Sequence, residues 1–131
     1  MPLHFQAHGL YLSINVSPAV EDWLTCDIEL LVPGFSGAYS ANLQIGDLKR
    51  FLVALQEMDS KSGMVKKAVL EGNEPGIFID LTSSKTGAVA GEYEFNNYPN
   101  DTKLVGSFSM DLSYLPAMIS DLKALLQSVS Q

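Results

Sequence analysis

The chain has 131 residues, of which 47% are hydrophobic and 18% charged, and its formal net charge is −7. This length and composition predict one globular α+β domain spanning residues 1–131, and they exclude a disordered chain. The negative charge repels phosphate groups, so it argues against a nucleic-acid partner and against docking on anionic membranes. It favours a basic protein as the partner.

The N-terminus and the cysteine content indicate the compartment. Residues 1–5 lack the basic and apolar segments of a signal peptide, and no apolar run approaches the roughly 18 residues that a membrane span requires. Cys26 is the single cysteine, so no internal disulfide is available. We therefore expect a bacterial cytoplasmic protein.

Apolar residues alternate with polar ones through the first third of the chain, which predicts strands. The predicted strands cover residues 3–7, 10–16, 23–32 and 37–45. In the long third strand, even-numbered positions from Leu24 to Val32 are apolar. The odd positions include Asp27 and Glu29, so that face is predicted to meet water.

A helical pattern then begins at Gly46-Asp47 and ends near residue 60. Asp47 suits a helix N-terminus, where a negative charge meets unpaired N–H groups. Four more strands are predicted at 65–71, 77–81, 88–95 and 103–110, and a last helix at 113–129. Gly91, inside one of these strands, predicts a bulge or a close backbone approach.

The two helices predict an internal repeat. An offset of 64 residues carries Asp47 onto Asp111, Leu48 onto Leu112 and Phe51 onto Leu115, and it superposes the apolar stripes of the helices. The strand faces before the helices are out of phase at this offset, so duplication and convergent patterning both stay open. The predicted fold is α+β: a curved antiparallel sheet of about seven strands with two helices packed on one face.

The sequence has no pattern typical of a catalytic or metal site. There is no nucleophile elbow, phosphate-binding loop or zinc-protease helix. His4 and His8 lie in a strand-like terminus and are interpreted as ordinary surface histidines. Cys26, on an apolar strand face, is interpreted as an unreactive core thiol. We therefore expect no enzyme activity, no catalytic residues, no metal and no cofactor.

Two pairs of acidic residues are the candidate partner-binding residues. Asp27 and Glu29 share one face of one strand, and Glu92 and Glu94 share one face of another. One interpretation is a negatively charged recognition surface. The alternative is that these side chains simply keep the outer faces of a sheet soluble.

Four segments resemble a known family. Residues 22–24 read Asp-Trp-Leu, residues 32–37 read Val-Pro-Gly-Phe-Ser-Gly, residues 47–55 read Asp-Leu-x-x-Phe-x-x-x-Leu, and residues 110–115 read Met-Asp-x-Ser-Tyr-Leu. This pattern resembles the small bacterial WapI-type immunity proteins over nearly the whole chain. The resemblance implies a cytoplasmic protein that neutralises a toxin domain by binding it, and it transfers no catalytic residue.

Two other functions remain open from the sequence. One is a structural or interaction domain that forms a homodimer through a sheet edge or face. The other is a small-ligand-binding domain, which would require a deep cavity between sheet and helices lined by convergent polar groups.

Overall fold

A computed structural model describes residues 2–18, 20–60, 66–97 and 102–129. These residues form two four-stranded antiparallel sheets and two α-helices. The first half consists of β1 (Pro2–Ala7), β2 (Leu10–Pro18), β3 (Trp23–Val32), β4 (Phe35–Gln44) and α1 (Ile45–Ser60). The second half consists of β5 (Lys67–Glu71), β6 (Ile77–Ser83), β7 (Ala88–Asn97), β8 (Thr102–Asp111), a 3₁₀ turn (Leu112–Tyr114) and α2 (Leu115–Val129). Residue 65, the predicted start of the fifth strand, lies outside the described residues.

The α+β class is confirmed, but the prediction of a single curved sheet of about seven strands is wrong. The strand order is β1-β2-β3-β4 in one sheet and β5-β6-β7-β8 in the other, so β4 and β5 do not pair. Helix α1 separates these two strands in the chain and packs against β5 and α2, while α2 packs against β1 and β2. Each helix thus packs against a strand of the opposite sheet, and one hydrophobic core includes residues of both sheets and both helices.

The predicted alternation is confirmed in the central strands. In β2, Leu10, Leu12, Ile14 and Val16 are buried and the residues between them are not. In β3 the buried set is Leu24, Cys26, Ile28, Leu30 and Val32. Neither helix among the described residues has the length and apolar character that crossing a bilayer requires.

Gly91 makes the close approach that the sequence predicted. It pairs with Phe108 in an unbroken β7–β8 register, so the alternative of a bulge is wrong. A Cβ atom on Gly91 would lie 2.2 Å from the Cζ atom of Phe108, and one on Gly106 would lie 2.3 Å from the hydroxyl oxygen of Tyr93, its partner across the strands. The rings of Tyr93 and Phe108 stack with centroids 6.2 Å apart. Each glycine therefore makes room for the aromatic ring of the facing strand.

The two halves repeat, but at an offset different from the predicted one. Strands β4 and β8 both have ten residues, and their first residues, Phe35 and Thr102, are 67 positions apart. At this offset Leu48 corresponds to Leu115 and Leu43 to Met110, and all four are buried. The predicted offset of 64 is three residues too small. Three residues are nearly one helical turn, which keeps a helix stripe in phase but reverses the faces of a strand.

Asp47 and Asp111, which suggested the smaller offset, bind different parts of their helix ends. Asp47 is the third residue of α1, and its buried carboxylate accepts hydrogen bonds from the Gln44 backbone N–H at 2.8 Å and from Arg50 Nη2 at 2.5 Å. Asp111 precedes the 3₁₀ turn and accepts from the Ser113 backbone N–H at 2.8 Å and from its hydroxyl. Both positions stabilise a negatively charged side chain at the start of a helix. They are not equivalent in the repeat, because at an offset of 67 Asp47 corresponds to position 114, three residues after Asp111.

Candidate functional site

The residues with catalytic or metal-binding chemistry are dispersed. Among the described residues, no group of three or more His, Cys, Asp or Glu side chains is arranged to hold a metal ion. The ring of His4 stacks on Tyr11, and His8 Nε2 lies 3.4 Å from the Tyr114 hydroxyl. Cys26 is fully buried, and burial raises the pKa of its thiol to about 12. This thiol is therefore protonated and inaccessible at neutral pH, as the sequence predicted.

Asp27 and Glu29 are exposed on the outer face of the first sheet. Their strand, β3, is an inner strand of that sheet, with β2 on one side and β4 on the other. Asp27 lies opposite Asn15 and Ser40, and it accepts a hydrogen bond from the Ser40 hydroxyl at 2.8 Å. Glu29 lies opposite a serine of β2 and an alanine of β4, so no cation of a neighbouring strand faces it.

Glu92 and Glu94 lie on the outer face of the second sheet, the former exposed and the latter half-buried. They line a surface groove of about 530 Å³, together with Phe78, Tyr93, Val105, Gly106 and Ser107. Glu92 lies opposite Asp80, whose carboxylate is 3.2 Å from Lys67 Nζ. Cations are therefore present on this face, unlike on the face that carries Asp27.

The structure does not bring the four acids together on one sheet face, because the two pairs belong to different sheets. The pairs occupy equivalent places. Strands β3 and β7 each have ten residues and start 65 positions apart, so Asp27 corresponds to Glu92 and Glu29 to Glu94. The offset is 65 between β3 and β7 and 67 between β4 and β8, because two fewer residues separate β3 from β4 than separate β7 from β8.

Two apolar residues that the sequence patterns did not single out lie on the outer face of the first sheet. Tyr11 and Leu31 face each other across β2 and β3, and they are 42% and 57% exposed. A signal was present in the sequence, because Leu31 is an apolar residue at an odd position of β3, where the alternation predicts contact with water.

The small-ligand hypothesis has one apolar groove in its favour, beside β4 and the ends of β7 and β8. This groove has a volume of about 340 Å³, and Leu30, Phe35, Tyr39, Phe95 and Leu104 line it with neighbouring residues. The Tyr39 hydroxyl donates to the Gly76 carbonyl at 2.6 Å, and burial raises the pKa of this side chain. That hydroxyl therefore already has its partner, and the polar residues left to fix the orientation of a ligand are Ser36, Asn97, Thr102 and Lys103.

Comparison with known proteins assigns the family. Residues 6–130 match the model of the immunity protein WapI-like family. The chain belongs to this family. The resemblance seen in the four sequence segments is thereby confirmed, and it covers nearly the whole chain.

Two solved structures share the fold. Crystal structures of MRP1/MRP2 from Trypanosoma bruciei match with a TM-score of 0.55 at 13% identity, over 99% of this chain and 87% of that one. The plant transcriptional regulator PBF-2 matches with a TM-score of 0.53 at 6% identity, over 99% of this chain and 82% of that one. At these identities the likeness concerns the fold alone. No curated protein matches the chain.

Proposed function

We propose that this protein neutralises a bacterial toxin domain by binding to it in the cytoplasm, without catalysing a reaction. Membership of the WapI-like immunity family is the observation that carries the proposal. The dispersed positions of the histidines and the burial of Cys26 support binding over catalysis.

The formal charge of −7 supports a basic partner. Toxin domains that act on nucleic acids bind an anionic substrate, so their clefts carry positive charge, and an acidic inhibitor can occupy such a cleft. The candidates for contact with the partner are the two acidic pairs, Asp27 with Glu29 and Glu92 with Glu94, since none of these side chains is fully buried and their strands lie away from the helices.

The test is to search the genes next to this protein's gene for a toxin domain and to express that domain with and without this protein. Wild-type protein should restore growth of the host and form a stable complex with the toxin domain. The association rate should fall steeply as the salt concentration rises from about 0.05 to 0.5 M, because salt screens long-range attraction. Failure to restore growth, together with no complex at low salt, would contradict the proposal.

The likeness in fold to a transcriptional regulator does not extend the proposal to nucleic acids. Residues 1–48 contain no Lys or Arg, so the whole first sheet lacks the cations that bind phosphates. We expect this protein to leave the mobility of single- and double-stranded oligonucleotides unchanged even at low salt. A mobility shift that salt abolishes would favour a nucleic-acid function instead.

The alternative of a homodimer has one observation in its favour. Strand β4 ends the first sheet, its strand partner among the described residues is β3, and its ten residues include no charged residue and no proline. Natural sheet edges usually carry such residues, which prevent pairing with another chain. A dimer in sedimentation equilibrium that Ala38→Lys dissociates, and that Val105→Lys on the equivalent strand β8 does not, would support this alternative.

A further inference from the structure

The repeat places an acidic pair at equivalent positions of the two sheets, so the surroundings of the two pairs can be compared directly. Both pairs lie on the third strand of a four-stranded sheet, two residues apart, and point outward. Asp27 and Glu29 form one pair, and Glu92 and Glu94 the other. Any difference in what the two faces can bind must come from the neighbouring strands.

The first difference is the balance of charge. No Lys or Arg occurs among residues 1–48, so Asp27 and Glu29 have no cation anywhere on their own sheet. On the second sheet, Lys67 lies 3.2 Å from Asp80, and Lys103 is exposed on β8. Asp27 and Glu29 are therefore not compensated by a Lys or Arg of their own sheet, whereas on the second sheet Lys67 offsets Asp80 and Lys103 lies on the strand that pairs with β7.

The second difference is an apolar contact area. Tyr11 and Leu31 lie side by side on the outer face of the first sheet. Their neighbours along the strands, Ser13 and Glu29, also face each other, so the apolar pair directly adjoins the acidic pair. Binding energy at protein interfaces concentrates in a few residues, most often Trp, Tyr and Arg, inside a polar rim, and Tyr11 is a residue of this kind with Leu31 beside it.

The third difference is the cost of ordering the surface. The remaining outward side chains of β2, β3 and β4 are mostly short, namely Ser13, Asn15, Ser17, Thr25, Ser36, Ala38, Ser40 and Asn42. Such side chains lose little rotamer entropy when a partner covers them, whereas lysine and glutamate lose much. The Ser40 hydroxyl also holds the Asp27 carboxylate in place before a partner arrives.

We propose that the outer face of the first sheet, and not the equivalent face of the second, is the surface that docks the partner. The partner is a protein surface that presents Arg or Lys to Asp27 and Glu29 and an apolar side chain to Tyr11 and Leu31. This inference rests on the proposed function, since it names the face through which the toxin domain is bound.

Two charge-reversed variants separate local contact from overall charge. Asp27→Lys with Glu29→Lys, and Glu92→Lys with Glu94→Lys, each change the formal charge by +4, from −7 to −3. Long-range attraction therefore weakens to a similar extent in both, and their association rates should fall together. The first variant alone should also dissociate faster, with a total affinity loss of about 100-fold or more, against about tenfold or less for the second.

The apolar pair has its own matched control. Leu31→Ser should weaken binding about tenfold through faster dissociation, because it removes a side chain that the partner buries. Val105→Ser removes an exposed apolar side chain, 65% accessible, from the outer face of the second sheet and should leave the affinity unchanged. Circular dichroism and thermal melting check that each variant is folded.

If Asp27→Lys with Glu29→Lys does not fold, the charge-neutralising variant Asp27→Asn with Glu29→Gln takes its place.

The probe is a catalytically inactivated form of the toxin domain found by the gene search and growth test above, and binding is measured by surface plasmon resonance. Equal affinity losses for the two charge-reversed variants, or a larger loss for Glu92→Lys with Glu94→Lys, would overturn the proposed face while the function stands. If wild-type protein does not bind the toxin domain at all, the proposed function itself fails, and the assigned partner fails with it.

Discussion

The substitution Gly91→Ala tests the close packing between β7 and β8. The added Cβ would lie 2.2 Å from the Cζ atom of Phe108, whose ring is buried and packs edge-on against Phe5 with centroids 5.4 Å apart. The ring cannot move away without disturbing the core, so the substitution should overpack this site. We expect the free energy of unfolding to fall by about 1–3 kcal/mol, the usual cost of overpacking.

The control is Gly37→Ala in β4, an exposed strand position where the nearest atom to a new Cβ is a Leu30 side-chain carbon at 3.9 Å. Here the loss of backbone freedom in the unfolded chain should stabilise the protein by about 0.4–1 kcal/mol. Urea denaturation followed by circular dichroism measures both variants, provided that the slope with denaturant stays constant.

A double-mutant cycle identifies the cause of the destabilisation. In a Phe108→Leu background the ring is absent, so the decrease in the free energy of unfolding caused by Gly91→Ala should be smaller by at least about 1 kcal/mol. If Gly91→Ala is as harmless as Gly37→Ala, the packing between Gly91 and Phe108 is not close enough to exclude a methyl group. If Gly91→Ala costs the same with and without the Phe108 ring, the destabilisation does not come from that ring.

Three further predictions concern the core, the thiol and metal ions. Phe51→Ala or Leu115→Ala, which remove fully buried helix residues, should each lower the free energy of unfolding by about 2–5 kcal/mol in the same urea assay, and a cost below about 1 kcal/mol would contradict their place in the core. Between the ordinary pKa of 9.0 and about 12, folded Cys26 keeps the proton that the unfolded thiol loses, so stability should fall as pH rises above about 9, by up to about 1.4 kcal/mol per pH unit. Cys26→Ala should flatten that slope, and an unchanged slope would assign it to other groups. Dialysis against a chelator should leave the melting temperature unchanged, and a large drop would contradict the interpretation of His4 and His8 as ordinary surface histidines.

Local patterns in the sequence predicted the elements and their faces well. Alternation with a period of two identified the buried side of β2 and β3, and with it the burial of Cys26 and the outward position of Asp27 and Glu29. These features depend on backbone geometry within one strand or one helix, so a few consecutive residues are enough to determine them. The glycine inside β7 predicted a bulge or a close approach, but it did not show that the Phe108 ring of the paired strand makes that approach.

The division into two sheets could not be read in this way, because strand pairing joins residues that are far apart in the chain. Whether β4 pairs with β5 depends on where α1 packs, and α1 packs against β5 and α2. The repeat offset was misjudged for a related reason. A shift of three residues preserves a helix stripe, so only the observed strand register could distinguish 67 from 64.

The sequence by itself determined which side chains of this protein point outward, because the period of a strand is set by its own backbone. The tertiary structure decided which outward side chains are neighbours. It placed Asp27 and Glu29 beside Tyr11 and Leu31 on a sheet without cations, and Glu92 and Glu94 on another sheet near Lys67. Adjacency across strands depends on register and on loop length, which are properties of the whole folded chain and not of any single segment.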